Sequence, residues 1–137
     1  MPELTIREKA AAAVRCQSAV LESGLTVLCR TMPGYSTVHA MYATPFGSTV
    51  RDFVLDGRPV HLPAGTAHFL EHKMFESEQG DAFSLYAKTG ASANAFTSWD
   101  HTCYLFSATS RIDENLDILL NMVGRPWFTK ETIAKEQ

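Results

Sequence analysis

Gly65-Thr66-Ala67-His68-Phe69-Leu70-Glu71-His72 is the stretch on which the fold turns, because it holds a helix start and, inside it, an H-x-x-E-H run. Residues three and four apart on a helix are surface neighbours. His68 and His72 can therefore aim a ring nitrogen at one ion while Glu71 projects beside them. Zinc suits such donors: a catalytic zinc takes three protein groups, leaves a fourth position for water and lowers that water's pKa towards neutrality. Glu71 would accept the proton. Two readings of the five residues stand side by side, a zinc site with a built-in base and a surface helix that happens to carry His, Glu and His.

Around the motif, Pro63 and Gly65 break the preceding segment and Thr66 reads as the N-cap. The helix is expected from about Ala67 to Phe75, with Phe69, Leu70, Met74 and Phe75 as core. A second helix is expected over about Asp81 to Lys88, closed by Gly90. Two strand-like runs follow, Ala91 to Thr97 and Thr102 to Ala108, joined as a hairpin by Ser98-Trp99-Asp100-His101. In the first, Ala91, Ala93 and Ala95 alternate with Ser92, Asn94 and Phe96. Alanine has poor strand propensity. Such a low-profile strand suits either an edge that accepts an extended peptide or a tightly packed inner strand.

A third helix opens with a capping-box-like Ser110 and Asp113. Ile112, Leu116, Leu119, Leu120 and Val123 are its expected buried stripe, and Gly124 and Pro126 its end. A fourth is expected after Thr129, with Thr129 as N-cap, running through Ile133 and Glu136. Upstream, Ser23-Gly24 lies between Val20-Leu21 and Leu25 to Cys29, a hairpin signal, and Thr37 to Thr44 reads as a third strand. Gly47 to Pro63 reads as a long loop, and residues 1–17 as a mobile lead-in before a domain at 18–137. Strands, two helices, a hairpin and two more helices argue an α+β fold, a mostly antiparallel sheet with helices on one face.

Length and composition agree with this and exclude some classes. The chain has 137 residues, 45% of them hydrophobic and 20% charged, as in an ordinary globular domain. A formal net charge of -3 gives no reason to expect nucleic acid as a partner. The sequence has neither an apolar run long enough to span a membrane nor a recognisable leader at its start. Cys16, Cys29 and Cys103 form neither a C-x-x-C pair nor an even framework, so a reducing, cytoplasmic setting is the expectation. His39 and His61 read as structural or exposed, and His101 as a loop partner of Asp100.

The motif, followed by Gly90-Ala91-Ser92-Ala93-Asn94-Ala95-Phe96-Thr97-Ser98, Tyr104-Leu105-Phe106, Phe128-Thr129 and Lys135-Glu136, resembles the N-terminal domain of the pitrilysin/insulinase family of zinc peptidases. The match covers roughly Leu21 to Gln137. The resemblance implies an insulinase-like, mitochondrial-processing-peptidase-like domain, here incomplete and ending inside a helix. It implies Zn2+ held by His68 and His72, and Glu71 as the general base of a metalloendopeptidase acting on extended peptides. It also implies Asn94, Ala95 and Phe96 as the strand that takes the substrate, and Glu136 as a supporting carboxylate. A third zinc ligand is expected about six residues beyond Gln137, and a second domain or homologous subunit would complete a clamshell around the peptide. Glu76, Glu78 and Asp100 are the nearby carboxylates that could substitute, and nothing in their spacing singles one out. The alternative is a truncated, non-catalytic peptide-binding or partner-binding fragment; the chain alone is expected to be weakly active or inactive.

Overall fold

The computed structural model describes residues 7–11 and 14–135. It divides into two units, residues 1–35 and 36–137. In the first, β1 (Arg7–Ala11), β2 (Val14–Val20) and β3 (Thr26–Cys29) form an antiparallel sheet in that order. The hairpin read at Ser23-Gly24 is the β2–β3 turn, with Gly24 at φ 85. The stretch read as a lead-in contains β1 and most of β2, and the division falls at Tyr35 rather than at Gln17.

The second unit begins with β4 (Val38–Thr44). The segment expected to be a loop holds instead the hairpin of β5 (Asp52–Leu55) and β6 (Arg58–His61). Its turn is Asp56-Gly57, at φ 50 and 75. Two positive φ values define the tight turn whose twist matches antiparallel strands, and Asp-Gly is a strong signal for it. Short strands on either side, with Pro59 in one, masked the alternation. Next come α1 (Thr66–Lys73), the two-residue strands β7 (Glu76–Ser77) and β8 (Gly80–Asp81), and α2 (Ala82–Thr89). β9 (Ser92–Thr97), β10 (Thr102–Ala108), α3 (Ile112–Gly124) and α4 (Lys130–Lys135) complete the order.

The sheet that matters is β4-β10-β9, antiparallel throughout, with β9 at an edge. Its register stacks Ala95, Tyr104 and Tyr42, then Ala93, Phe106 and Ala40, on one face. On that face Tyr104 and Phe106 join Phe75, Tyr86, Leu119 and Met122 in the core, so α1 to α3 cover it. Side chains alternate between faces with period two. Phe96, Asn94 and Ser92 consequently lie on the opposite face, exposed. The α+β architecture with helices on one face is as expected.

Helix ends differ from expectation in two places. α1 is capped by Gly65, whose left-handed φ of 86 a glycine adopts without steric cost. Thr66 is already helical, and its hydroxyl donates back to the Pro63 carbonyl at 2.8 Å. At α3 the Ser110–Asp113 box does not form; Arg111 is the cap, at φ 54. The buried seam of α3 is Asn115, Leu119 and Met122, while Leu116 and Leu120 are 39% and 44% exposed. The reason is Asn115. Its amide donates to the Arg111 carbonyl at 2.8 Å and the Ser110 carbonyl at 3.3 Å, and its oxygen accepts from Thr89, which rotates the helix off the leucine stripe. Asp81 caps α2 by accepting from the Phe83 N–H, and Gly90 closes it. Thr129 caps α4, accepting from the Thr132 N–H at 3.1 Å.

Candidate metal and peptide site

α1 presents the motif with its members differing in exposure. His68 and His72 are exposed, with Nε2 atoms 3.1 Å apart and rings edge to face. Two imidazole nitrogens bound at about 2.0–2.1 Å to one tetrahedral ion would stand roughly 3.3 Å apart. The histidine pair therefore fits a shared zinc with little movement. Glu71, by contrast, is buried, with 8% of its surface exposed. Its Oε2 accepts a hydrogen bond of 2.5 Å from the Thr97 hydroxyl, at the end of β9.

The alanines explain how this contact is reached. Ala91, Ala93, Ala95 and Thr97 share the helix-facing side of β9, and the alanines pack against the core. Small side chains let a helix approach the sheet closely, and α1 comes near enough for a carboxylate to meet a strand hydroxyl. The low profile of β9 thus serves the helix above it. That strand is also an edge, as a peptide-accepting strand must be.

An open groove of about 480 Å³ joins the parts. Glu71 and His72 line it, with Asn94 and Ala95 along one side and Phe75 and Phe83, stacked at 4.3 Å, on another. Of the residues expected to bind a peptide, Asn94 and Ala95 reach this groove. Phe96 does not; it lies on the far face, its ring edge-on to His101 at 5.9 Å. The Asn94 side chain accepts from the Ala95 N–H at 2.9 Å, so one edge donor is engaged by its neighbour.

Of the three substitute carboxylates, Glu78 is exposed past the end of α1 and the other two have partners. Glu76 pairs with Lys73 at 2.7 Å, and the Lys73 ammonium, fully buried, also donates to the Thr132 carbonyl of α4 at 2.6 Å. Asp100 is held by His101 at 2.6 Å, and that hydrogen bond places its carboxyl below the usual range. Glu136 lies outside the described residues. Among the described residues no group of three or more His, Cys, Asp or Glu stands together as a metal cluster. No described helix is long and apolar enough to cross a membrane.

Thr97, Lys73 and Tyr104 are the neighbours that sequence reading left without a role. Tyr104 has its pKa pushed up to about 12 by burial and, secondarily, by the negative charge of Glu71, which puts the carboxylate near it. The available signal for Thr97 was its phase with the alanines, the last position on that face.

The family model for insulinase, peptidase family M16, matches residues 62–137. The chain belongs to the insulinase family, M16. Over 119 residues it is 45% identical to YmfH of Bacillus subtilis (strain 168), named an uncharacterized zinc protease; the match spans 85% of this chain and 28% of that one. An M16-like peptidase from Alicyclobacillus acidocaldarius superposes with a TM-score of 0.86 at 39% identity, over 93% of this chain and 30% of that one. Pitrilysin shares the fold at a TM-score of 0.69 and 23% identity, over 96% of this chain and 14% of its own. The chain thus spans less than a third of the length of each of these three proteins.

Proposed function

We propose that this M16 chain carries the metal-binding and base-bearing part of a zinc-dependent endopeptidase that acts on peptides in extended form. The observation that carries the reading is the convergence of the His68 and His72 Nε2 atoms, 3.1 Å apart, beside Glu71 in a groove that runs onto Asn94 and Ala95. In this reading the two histidines hold the ion. Zinc, when bound, supplies Lewis acidity towards a water and a peptide carbonyl. Glu71 takes up the water's proton as general base and can return it to the leaving amine. The edge of β9 aligns the substrate through main-chain hydrogen bonds, and Phe75 and Phe83 offer apolar contact. The naming of relatives as zinc proteases supports the same chemistry.

A catalytic zinc takes three protein ligands, and two stand together among the described residues. The 137-residue chain is accordingly expected to bind zinc weakly, one ion per chain, and to lose it on His68→Ala. Cleavage of a quenched fluorescent peptide by the protein as expressed from its own gene should disappear with a chelator, return with zinc and fall by about 1,000-fold in Glu71→Gln, whose zinc affinity stays within a few-fold. Turnover that survives either treatment would remove Glu71 or the metal from the mechanism. A second reading, peptide capture without turnover, draws on the edge position of β9. It predicts peptide binding that persists in both variants with no cleavage in the parent.

A further inference from the structure

We infer that Thr97 is a positioning residue for Glu71: its hydroxyl fixes one carboxylate oxygen, Oε2, and thereby presents the other to a reacting water. The inference rests on the peptidase reading and deepens it.

The geometry restricts what the Thr97 hydroxyl can do. A threonine has one proton to donate, and its χ1 is stiff because the β-carbon is branched. Around Thr97 Oγ1 stand two partners, Glu71 Oε2 at 2.5 Å and Thr102 Oγ1 at 3.4 Å. Thr102 spends its own proton on the Phe46 carbonyl at 2.7 Å. The short contact is therefore the one in which Thr97 donates to Glu71.

The strand end that carries Thr97 is itself held. Ser48 N–H donates to the Ser98 carbonyl and Thr49 N–H to the Trp99 carbonyl, both at 2.9 Å. Gly47 lies so close to this loop that a Cβ there would sit 2.5 Å from the His101 nitrogen and 2.6 Å from the Asp100 nitrogen. Thr97 consequently donates from a rigid base to a glutamate on the opposing helix. A free glutamate side chain samples many rotamers. Tying Oε2 to the sheet selects one of them before substrate arrives, which is how supporting shells raise the efficiency of a catalytic group.

The test uses Thr97→Val, which keeps shape and strand propensity but removes the hydroxyl, and Thr97→Ser, which restores it. In the zinc-free 137-residue chain, the infrared carboxylate band of Glu71, isolated as the difference from Glu71→Gln, should move to higher frequency in Thr97→Val and return in Thr97→Ser. In the protein as expressed from its own gene, kcat for the fluorescent peptide should fall about 10- to 100-fold in Thr97→Val. KM should stay within twofold, and Thr97→Ser should recover most of the rate. An unmoved band, or equal loss of kcat in the Val and Ser variants, would overturn the inference. Should Thr97→Val fail to fold, Thr97→Ala carries the same expectations. If Glu71→Gln retains turnover, the peptidase reading fails; if Glu71→Gln is inactive while Thr97→Val keeps full kcat, only the positioning role fails.

Discussion

α1 and α3 both bury polar side chains against the same sheet, and they treat them differently. In α3, Asn115 is fully enclosed and its amide is consumed, by two carbonyls on one side and the Thr89 hydroxyl on the other. In α1, Glu71 is 8% exposed and meets one hydroxyl, while its flank opens on a groove. A buried polar group with every bond satisfied rigidifies and specifies packing. One with acceptor capacity left over, beside two exposed imidazoles, is arranged to receive something. Two helices on one scaffold thus separate a polar residue that serves the fold from one that, in the proposed function, serves chemistry.

The sharpest way to break the comparison is to remove each partner in turn. His68→Ala should reduce zinc affinity by on the order of 100-fold or more, since even supporting residues of metal sites cost 10–100-fold. Its thermal unfolding without metal should match the parent, because His68 is exposed. Asn115→Ala should do the reverse. It removes the amide bonds to the Arg111 and Ser110 carbonyls and the acceptor facing Thr89, whose hydroxyl keeps only the Tyr86 carbonyl at 2.8 Å, a loss of about 2–3 kcal/mol in denaturant unfolding, with zinc affinity within a few-fold of wild type. If Asn115→Ala weakened zinc as much as His68→Ala, the two helices would not be separable.

A smaller effect concerns the ion pair at the end of α1. Glu76→Gln removes the carboxylate facing the fully buried Lys73 ammonium. Since Glu76 is about one-third exposed, the expected loss is about 1–2 kcal/mol, below that of a wholly buried pair. Read by urea unfolding, a loss above that of Asn115→Ala would make α1 the more structural helix. Smallest is Tyr86→Phe. The Tyr86 hydroxyl is buried with no hydrogen-bond partner among the described residues, so its removal should be neutral or stabilise by about 1 kcal/mol near pH 7.

The same tyrosine predicts a pH dependence. Tyr86 and Tyr104 both have pKa values pushed up to about 12, first by burial. Between about 10 and 12 the unfolded chain has lost these protons and the folded chain keeps them, so stability falls as pH rises through that window. Thermal unfolding of Tyr86→Phe should show a shallower fall there than wild type.

Much of this was legible from residues alone, where local rules suffice. The β9–β10 hairpin, the closure of α2 by Gly90 and the Thr129 cap depend on period and turn chemistry over a few residues. The β5–β6 hairpin was equally local, and Asp56-Gly57 marked it, but strands of four residues are too short for alternation to stand out. Of the α3 stripe, Leu119 is buried and Ile112 and Val123 pack against the core, while Leu116 and Leu120 misled because nothing local marks Asn115 as the inward residue. That asparagine faces inward because of Thr89, which is 26 residues away.

The sequence by itself determined that His68, Glu71 and His72 would share a helix and that the two imidazoles could converge, because helical spacing depends only on positions along the chain. Tertiary structure decided the rest. The burial of Glu71, its bond to Thr97 and the groove shared with Asn94 and Ala95 arise where a helix crosses a strand more than twenty residues further on, and a spacing rule carries no information about contacts at that separation.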